Sequence, residues 1–405
     1  MTDGKAGARS APLPTCMTNS PILIVAGERS GDVYGAELAK ALRERLGAVE
    51  IFGCGGDAMR KAGVETTVDA HSIAVAGIVE VIAGLPRVYR AFHRLLDEVD
   101  RRKPRLAVLI DFPDFNLRLA EKLKRRNVPV VYFVSPQVWA WRKGRLKQIK
   151  DTVSKMICIF DFEQAIYRGA GIPVEYVGHP LVDLAQPKMS RDEFFSSAGL
   201  DPAVTTVALL PGSREKEVVH ILPRILDGAK RLAVNRHIQF VIPVAPTLDA
   251  EKLERMVSGF DLGGAPVRTI AHATHEALHY SDVAVVASGT ATVEAALHER
   301  PMVVVYRVSP LTWLVGRLLV KVPHYSMVNL LAGKPLVVEL MQSNFSGENV
   351  AAQVQYLLDY PEARATMVNE LRALRTRLGP GGAIAKAAEA IVRTISSEGA
   401  ALPSA

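Results

Sequence analysis

Short runs of β-branched and aliphatic residues recur along this chain, each followed by a longer stretch whose apolar residues fall at helical spacing. That rhythm calls for parallel strands joined by helices. A first series reads PILIVAG (21–27), VEIFG (49–53), RLAVLID (105–111) and VPVVYFVS (128–135). After a polar, Pro-containing stretch a second begins: VTTVALL (204–210), HIQFVIPV (237–244), SDVAVVAS (281–288) and PMVVVYRV (301–308). Two doubly wound α/β sheets are the economical reading. The expected division is a leader over 1–20, a first Rossmann-like domain over 21–185 and a second over 186–365. Two terminal helices over 366–397, broken by GPGG, are expected to pack back on a domain.

Composition narrows the function classes. Three cysteines at wide spacing (Cys16, Cys54, Cys158) suit neither a disulfide framework nor a CxxC metal site, so a reducing, cytoplasmic location is expected. The first twenty residues lack the apolar core of a signal peptide, and no apolar run is long enough for a transmembrane helix. Membrane contact is therefore expected to be peripheral. Lys and Arg outnumber Asp and Glu 49 to 42, a net charge of +7 that favours anionic partners. Nucleic acid is not expected, because no aromatic-rich RNA-binding strand accompanies the charge.

Ligands of doubly wound sheets bind beyond the carboxyl ends of the strands, and polar residues concentrate there. PGSREKE (211–217) follows one strand of the second series and SGTATVE (288–294) another. Gly212 frees the backbone for close approach, Ser213 offers a hydroxyl, and Arg214 offers a planar fork for phosphate oxygens. Ser288, Gly289 and Thr290 stand where a helix begins, so their amides and the macrodipole favour an anion. Glu294, four residues beyond Thr290, is placed to accept from ribose hydroxyls. Taken alone, each has an ordinary alternative as a cap or a surface charge. The pair together makes a nucleoside-diphosphate site in which Arg214 and the amides stabilise the departing phosphate without a metal.

In the first series, Asp111 ends a buried strand where a carboxylate can take the proton from an attacking hydroxyl, whereas Asp114 sits where a helix cap would. GERSGD (27–32) supplies Glu28, Ser30, Gly31 and Asp32 at a strand-to-helix junction, a weak signal by itself. SPQVWAWR (135–142) adds Trp139, Trp141 and Arg142, a cluster suited to stacking on a sugar or base, with ordinary helix packing as the alternative. No metal or other cofactor is expected, and histidines such as His179 are read as structural. Two apolar and basic runs, 74–96 and 310–322, each read alone as a core helix, but together they have the character of surfaces that rest on an anionic bilayer.

In order, GERSGD, AVAGIVEV, IDFPDFN, VSPQVWAWR, VGHPLVD, LLPGSREKEV, ASGTATVE, SMVNLLAG and ELMQ closely resemble the lipid-A-disaccharide synthases over about 21–395. The resemblance implies a GT-B architecture with two Rossmann-like domains facing a cleft, and metal-independent, inverting transfer. It implies UDP-2,3-diacylglucosamine as donor, 2,3-diacylglucosamine 1-phosphate as acceptor, and peripheral association with the cytoplasmic face of the inner membrane, with a homodimer as the suggested assembly. By motif, Asp111 matches the base, and Glu28 and Arg214 join it in the catalytic set. Gly212, Ser213, Ser288, Gly289, Thr290, Glu294, Asn329 and Gln342 match the UDP side. Ser30, Gly31, Asp32, Asp114, Asn116 and Trp139 are the expected acceptor side. Two alternatives stay in view. Another UDP-N-acetylglucosamine transferase or a 2-epimerase would keep the two phosphate loops without needing apolar patches, and a noncatalytic binding protein would not need Asp111.

Overall fold

The computed structural model describes residues 20–73, 78–136, 144–308, 313 and 324–401. The chain forms two compact units, one from Met1–Val177 with Gly382–Ala405 and the other from Gly178–Gly381.

The first unit is built on strands β1 (Ile22–Ala26), β2 (Ile51–Gly55), β3 (Glu65–Asp69), β4 (Leu106–Ile110), β5 (Val130–Phe133), β6 (Lys155–Cys158) and β7 (Val174–Tyr176). All pair in parallel, in the order β3-β2-β1-β4-β5-β6-β7. Helices cover both faces, so β1 and β4 are buried at every residue; this is why they read as unbroken apolar runs without alternation. The second unit repeats the scheme with β8 (Thr205–Leu210), β9 (Ile238–Val244), β10 (Val267–Ala271), β11 (Val283–Ala287), β12 (Met302–Tyr306) and β13 (Val338–Met341), ordered β10-β9-β8-β11-β12-β13.

Both orders reverse direction between neighbouring strands, β1 with β4 and β8 with β11, and a doubly wound sheet opens its ligand crevice at that reversal. Register fixes what lies there. Ala26 pairs with Ile110, which sets Gly27 beside Asp111, and Val286 pairs with Leu210, which brings the PGSR and SGT loops together.

The unit boundary differs from the one expected at 185/186. Residues 178–185 belong with the second unit, where the His179 amide donates to the Leu378 carbonyl at 2.8 Å. The terminal helices part company as well. Pro361–Arg377 packs on Thr290–Leu297 in the second unit, whereas Ala383–Ala401 returns to the first and packs on Arg29–Leu46. Gly379, Gly381 and Gly382, all at positive φ, make the turn between them.

Candidate active site

At the reversal in the first unit, Asp111 and Phe112 adopt consecutive left-handed conformations, φ 46° and 49°, which side chains with a Cβ rarely occupy. The strain is held from several sides. The Asp111 amide donates to the Phe133 carbonyl at 3.0 Å. The Asp111 carbonyl accepts from the Tyr132 hydroxyl at 2.5 Å and from Asn116 Nδ2 at 2.7 Å. The Phe112 ring stacks on Phe115 and lies where a side chain at 27 would project, 2.2 Å from the position of a Cβ, so the first loop must begin with glycine.

The Asp111 carboxyl is pushed up to about 7, first by burial and then by the nearby negative charge of Glu28, with the Phe112 amide pulling the other way. Glu28 is exposed at the N-cap of helix Arg29–Leu46. Two carboxylates in different surroundings thus share this rim, one exposed and one whose charged form burial disfavours. Ser30 is half-buried in the first turn of the same helix. Gly31 is buried, and a Cβ there would lie 3.3 Å from Ala26 and 3.5 Å from Ile110, so its smallness seats the helix on the sheet. Asp114 is exposed and ion-paired with Arg145.

Two residues expected on the acceptor side have other duties. The buried Asp32 carboxylate accepts from the amides of Gly56 (2.7 Å), Ala58 (3.0 Å) and Met59 (3.1 Å), capping helix Asp57–Lys61. Asn116 is fully buried and donates to the carbonyls of Ile110 and Asp111, so it shapes the loop from behind. Trp139, with Trp141 and Arg142, lies outside the described residues.

In the second unit, Gly212 stands at φ 119° beside Glu217, and Arg214, exposed at the N-cap of helix Glu215–Ala233, pairs with Glu217 at 3.1 Å. The Ser213 carbonyl accepts from the Thr247 hydroxyl at 2.5 Å, which ties the loop to the end of β9. Ser288 Oγ donates to the Tyr325 carbonyl at 3.1 Å. Gly289, at φ 151° with open space where a Cβ would be, leads into helix Thr290–Leu297 with Thr290 exposed at its first turn. Among the described residues, no atom lies within 4 Å of where a Cβ at 289 would be, so this helix start is open to an anion. Glu294 is half-buried one turn on.

Asn329 and Gln342, carried over by motif to the UDP side, are occupied in their own loops. Buried Asn329 donates to Val337 O and Glu339 Oε1 and accepts from the amides of Leu336 and Val337, all at 2.8–2.9 Å, which is the full capacity of an amide side chain. With its amide oriented by hydrogen bonding, Gln342 donates to Val308 O at 3.2 Å and accepts from Val308 N at 3.0 Å, clipping the end of β12.

One histidine pattern was overlooked in the sequence: HEALH (275–279) has the HExxH spacing of zinc enzymes. The geometry gives it a structural reading. Buried Glu276 accepts from the amides of Lys188 (2.6 Å) and Met189 (3.2 Å), and His279 Nδ1 faces His298 Nδ1 at 3.3 Å. Among the described residues no group of three His, Cys, Asp or Glu is arranged to hold a metal. Sequence reasoning also passed over Tyr132 and Glu217. A lone tyrosine in a fully buried strand and an acid three residues past Arg214 were the available signals.

The fold is that of the two-domain α/β enzymes of the GT-B type. The fold matches that of the UDP-GlcNAc 2-epimerase from Neisseria meningitidis bound to UDP-GlcNAc, with TM-score 0.60 and 13% identity over 93% of this chain and 100% of that one. It also matches MurG of Acinetobacter baumannii, with TM-score 0.54 and 12% identity over 93% and 99%. The chain itself belongs to the lipid-A-disaccharide synthase family: the family model for lipid-A-disaccharide synthetase matches residues 22–389. The synthase of Koribacter versatilis is 48% identical over 93% of this chain and 98% of its own length. That of Syntrophus aciditrophicus is 45% identical over 92% and 97%. The chain is therefore a glycosyltransferase of lipid A biosynthesis.

Proposed function

We propose that this enzyme transfers the 2,3-diacylglucosaminyl group of UDP-2,3-diacylglucosamine to the 6-hydroxyl of 2,3-diacylglucosamine 1-phosphate, with inversion and without a metal. The observation that carries the reading is the position of Asp111, in a left-handed turn directly after β4 at the sheet reversal, where burial and the nearby Glu28 push its carboxyl up to about 7. As Asp111 takes the hydroxyl proton, the acceptor oxygen bonds to the anomeric carbon on the face opposite the phosphate, and the bond from carbon to phosphate oxygen breaks. UDP departs with the electron pair. Arg214, the amides of Gly212 and Ser213, and the helix start at Ser288–Thr290 supply the positive potential that this departing charge needs. Glu294 holds the ribose. Purified protein supplied with both acylated monosaccharides is expected to release UDP and form the β-1,6-linked disaccharide phosphate, and deacylated sugars should react poorly. Equal turnover of deacylated sugars would favour another UDP-sugar transferase.

The acyl chains require a lipid surface, and this reading places the enzyme at the cytoplasmic face of the inner membrane. No helix among the described residues is long and apolar enough to cross a bilayer. The helix Ile78–Arg102 exposes Leu85 (52%) and Tyr89 (65%) among exposed Arg87, Arg90 and Arg94, apolar groups rimmed by cations. Each cation near an anionic surface contributes about 1 kcal/mol. Changing all three arginines to glutamate should therefore lower binding to phosphatidylglycerol vesicles by at least ~100-fold in a flotation assay, while uncharged vesicles show little difference. The homodimer suggested by the resemblance joins this reading and is checked by light scattering.

A further inference from the structure

The mechanism above uses the Asp111 carboxylate but leaves open what keeps it pointed at the rim, and the residues behind the loop supply an answer. Asp111 and Phe112 are left-handed in succession, a conformation that an aspartate and a phenylalanine leave readily unless their peptide groups are pinned. The pinned group is the Asp111 carbonyl. It takes the Tyr132 hydroxyl at 2.5 Å from one side and Asn116 Nδ2 at 2.7 Å from the other. Tyr132 is wholly buried on β5, where Leu109 is its cross-strand partner, and Asn116 is wholly buried in helix Pro113–Lys124, donating also to the Ile110 carbonyl at 3.2 Å. Neither side chain has the exposure needed to meet a substrate, yet both end on the backbone of one residue. A buried strand that wanted only packing would be served by phenylalanine. A phenol buried there has a use only if its hydroxyl finds an acceptor, and the acceptor it finds is this carbonyl.

We propose that Tyr132 and Asn116 form a two-donor clamp on the Asp111 carbonyl, positioning residues that hold the left-handed turn and thereby aim the Asp111 carboxylate at the acceptor hydroxyl. The proposal rests on the reading of Asp111 as the base. With the clamp released, the peptide after Asp111 rotates toward an ordinary conformation and the carboxylate swings away from Glu28 into water. Among the described residues, the charged groups that face this cluster are Glu28 at the start of helix Arg29–Leu46 and Arg145, which pairs with Asp114; the phenol of Tyr167 adds a further titratable group.

Tyr132→Phe keeps the ring and removes one donor, and Asn116→Ala removes the other, so a folding failure in one leaves the second to decide. In a folded variant, judged by circular dichroism, kcat is expected to fall about ten- to a hundredfold, the range associated with small misplacements of a catalytic group. KM for both sugars should stay within about twofold. The discriminating readout is the Asp111 carboxyl itself, followed by carbon NMR of protein labelled at the aspartate carboxyl carbon and assigned against Asp111→Asn. Its midpoint should move down from about 7 in the variants, together with the acid limb of the rate profile. An unmoved midpoint in a folded variant overturns the clamp, whether kcat changes or not. If instead Asp111→Asn retains turnover, the base reading fails, and the carboxyl titration still judges the clamp by itself.

Discussion

Asp111→Asn is expected to lower disaccharide formation by about 10²–10⁴-fold, the range for loss of a general base, while UDP binding measured by calorimetry stays within about twofold. The asparagine preserves shape and cannot take a proton. The wild-type rate should fall as pH drops through about 7, where the carboxyl becomes protonated, and the residual activity of the variant should lack that limb. A second consequence separates this reading from a purely structural role. The folded-state pKa is raised above the ordinary value of 3.8, so folding disfavours the charged form. The cost is absent below about 4 and fully present once pH exceeds about 7. Three pKa units correspond to about 4 kcal/mol, but the side chain is only half-buried and water screens it, so about 1–3 kcal/mol is the realistic gain for the variant at pH 8. Asp111→Asn should therefore be inactive and harder to unfold in urea. A variant that is inactive because it is destabilised would point to a structural role, and undiminished turnover would remove Asp111 from the mechanism.

The opposed demands on Asp111 explain why it stands out in the sequence at all. A charge directly after five buried aliphatic residues is a conflict between local pattern and burial, and such conflicts cluster where chemistry is done. The loops at 211–217 and 288–294 stand out for a related reason: strands covered on both faces read as continuous apolar runs, so their carboxyl ends are visible as abrupt changes in polarity. What could not be read were the partners of small polar side chains. Asp32 sits in the same glycine-rich turn as Glu28, and only the fold reveals that its carboxylate meets the amides of Gly56, Ala58 and Met59, more than twenty residues away. Asn116, Asn329 and Gln342 are parallel cases, amides that satisfy backbone groups in loops whose shape the sequence does not encode locally. The domain limit near 185 missed for the same reason: the segment at His179 is held by a hydrogen bond to Leu378, two hundred residues on.

Acidification is expected to act on the two units with opposite sign. In the second unit, burial drives His179 down to about 3, and its Nδ1 accepts from the Leu181 amide at 3.2 Å, which fixes the neutral ring. His298 is also driven to about 3, by burial first and then by His275, His279, Arg300 and Arg375. Both folded values lie below the ordinary 6.5, so the unfolded chain binds the protons first. The stability they contribute is complete above about 6.5 and is lost progressively as pH falls toward 3. Between pH 7 and pH 5 each histidine should remove about 2 kcal/mol, about 4 kcal/mol for the pair, a large part of the stability of an ordinary domain. In the first unit, Asp111 works the other way, because protonating it below pH 7 relieves its burial cost. Hydrogen exchange at pH 7 and pH 5, corrected for intrinsic rates, should therefore show protection falling in β11 and β12 while β1 and β4 hold or gain. His179→Asn, which keeps an acceptor for the Leu181 amide, and His298→Gln should each roughly halve the pH dependence of the second unit. Equal losses in both sheets, or a slope that neither substitution alters, would mean that other groups control the response to acid.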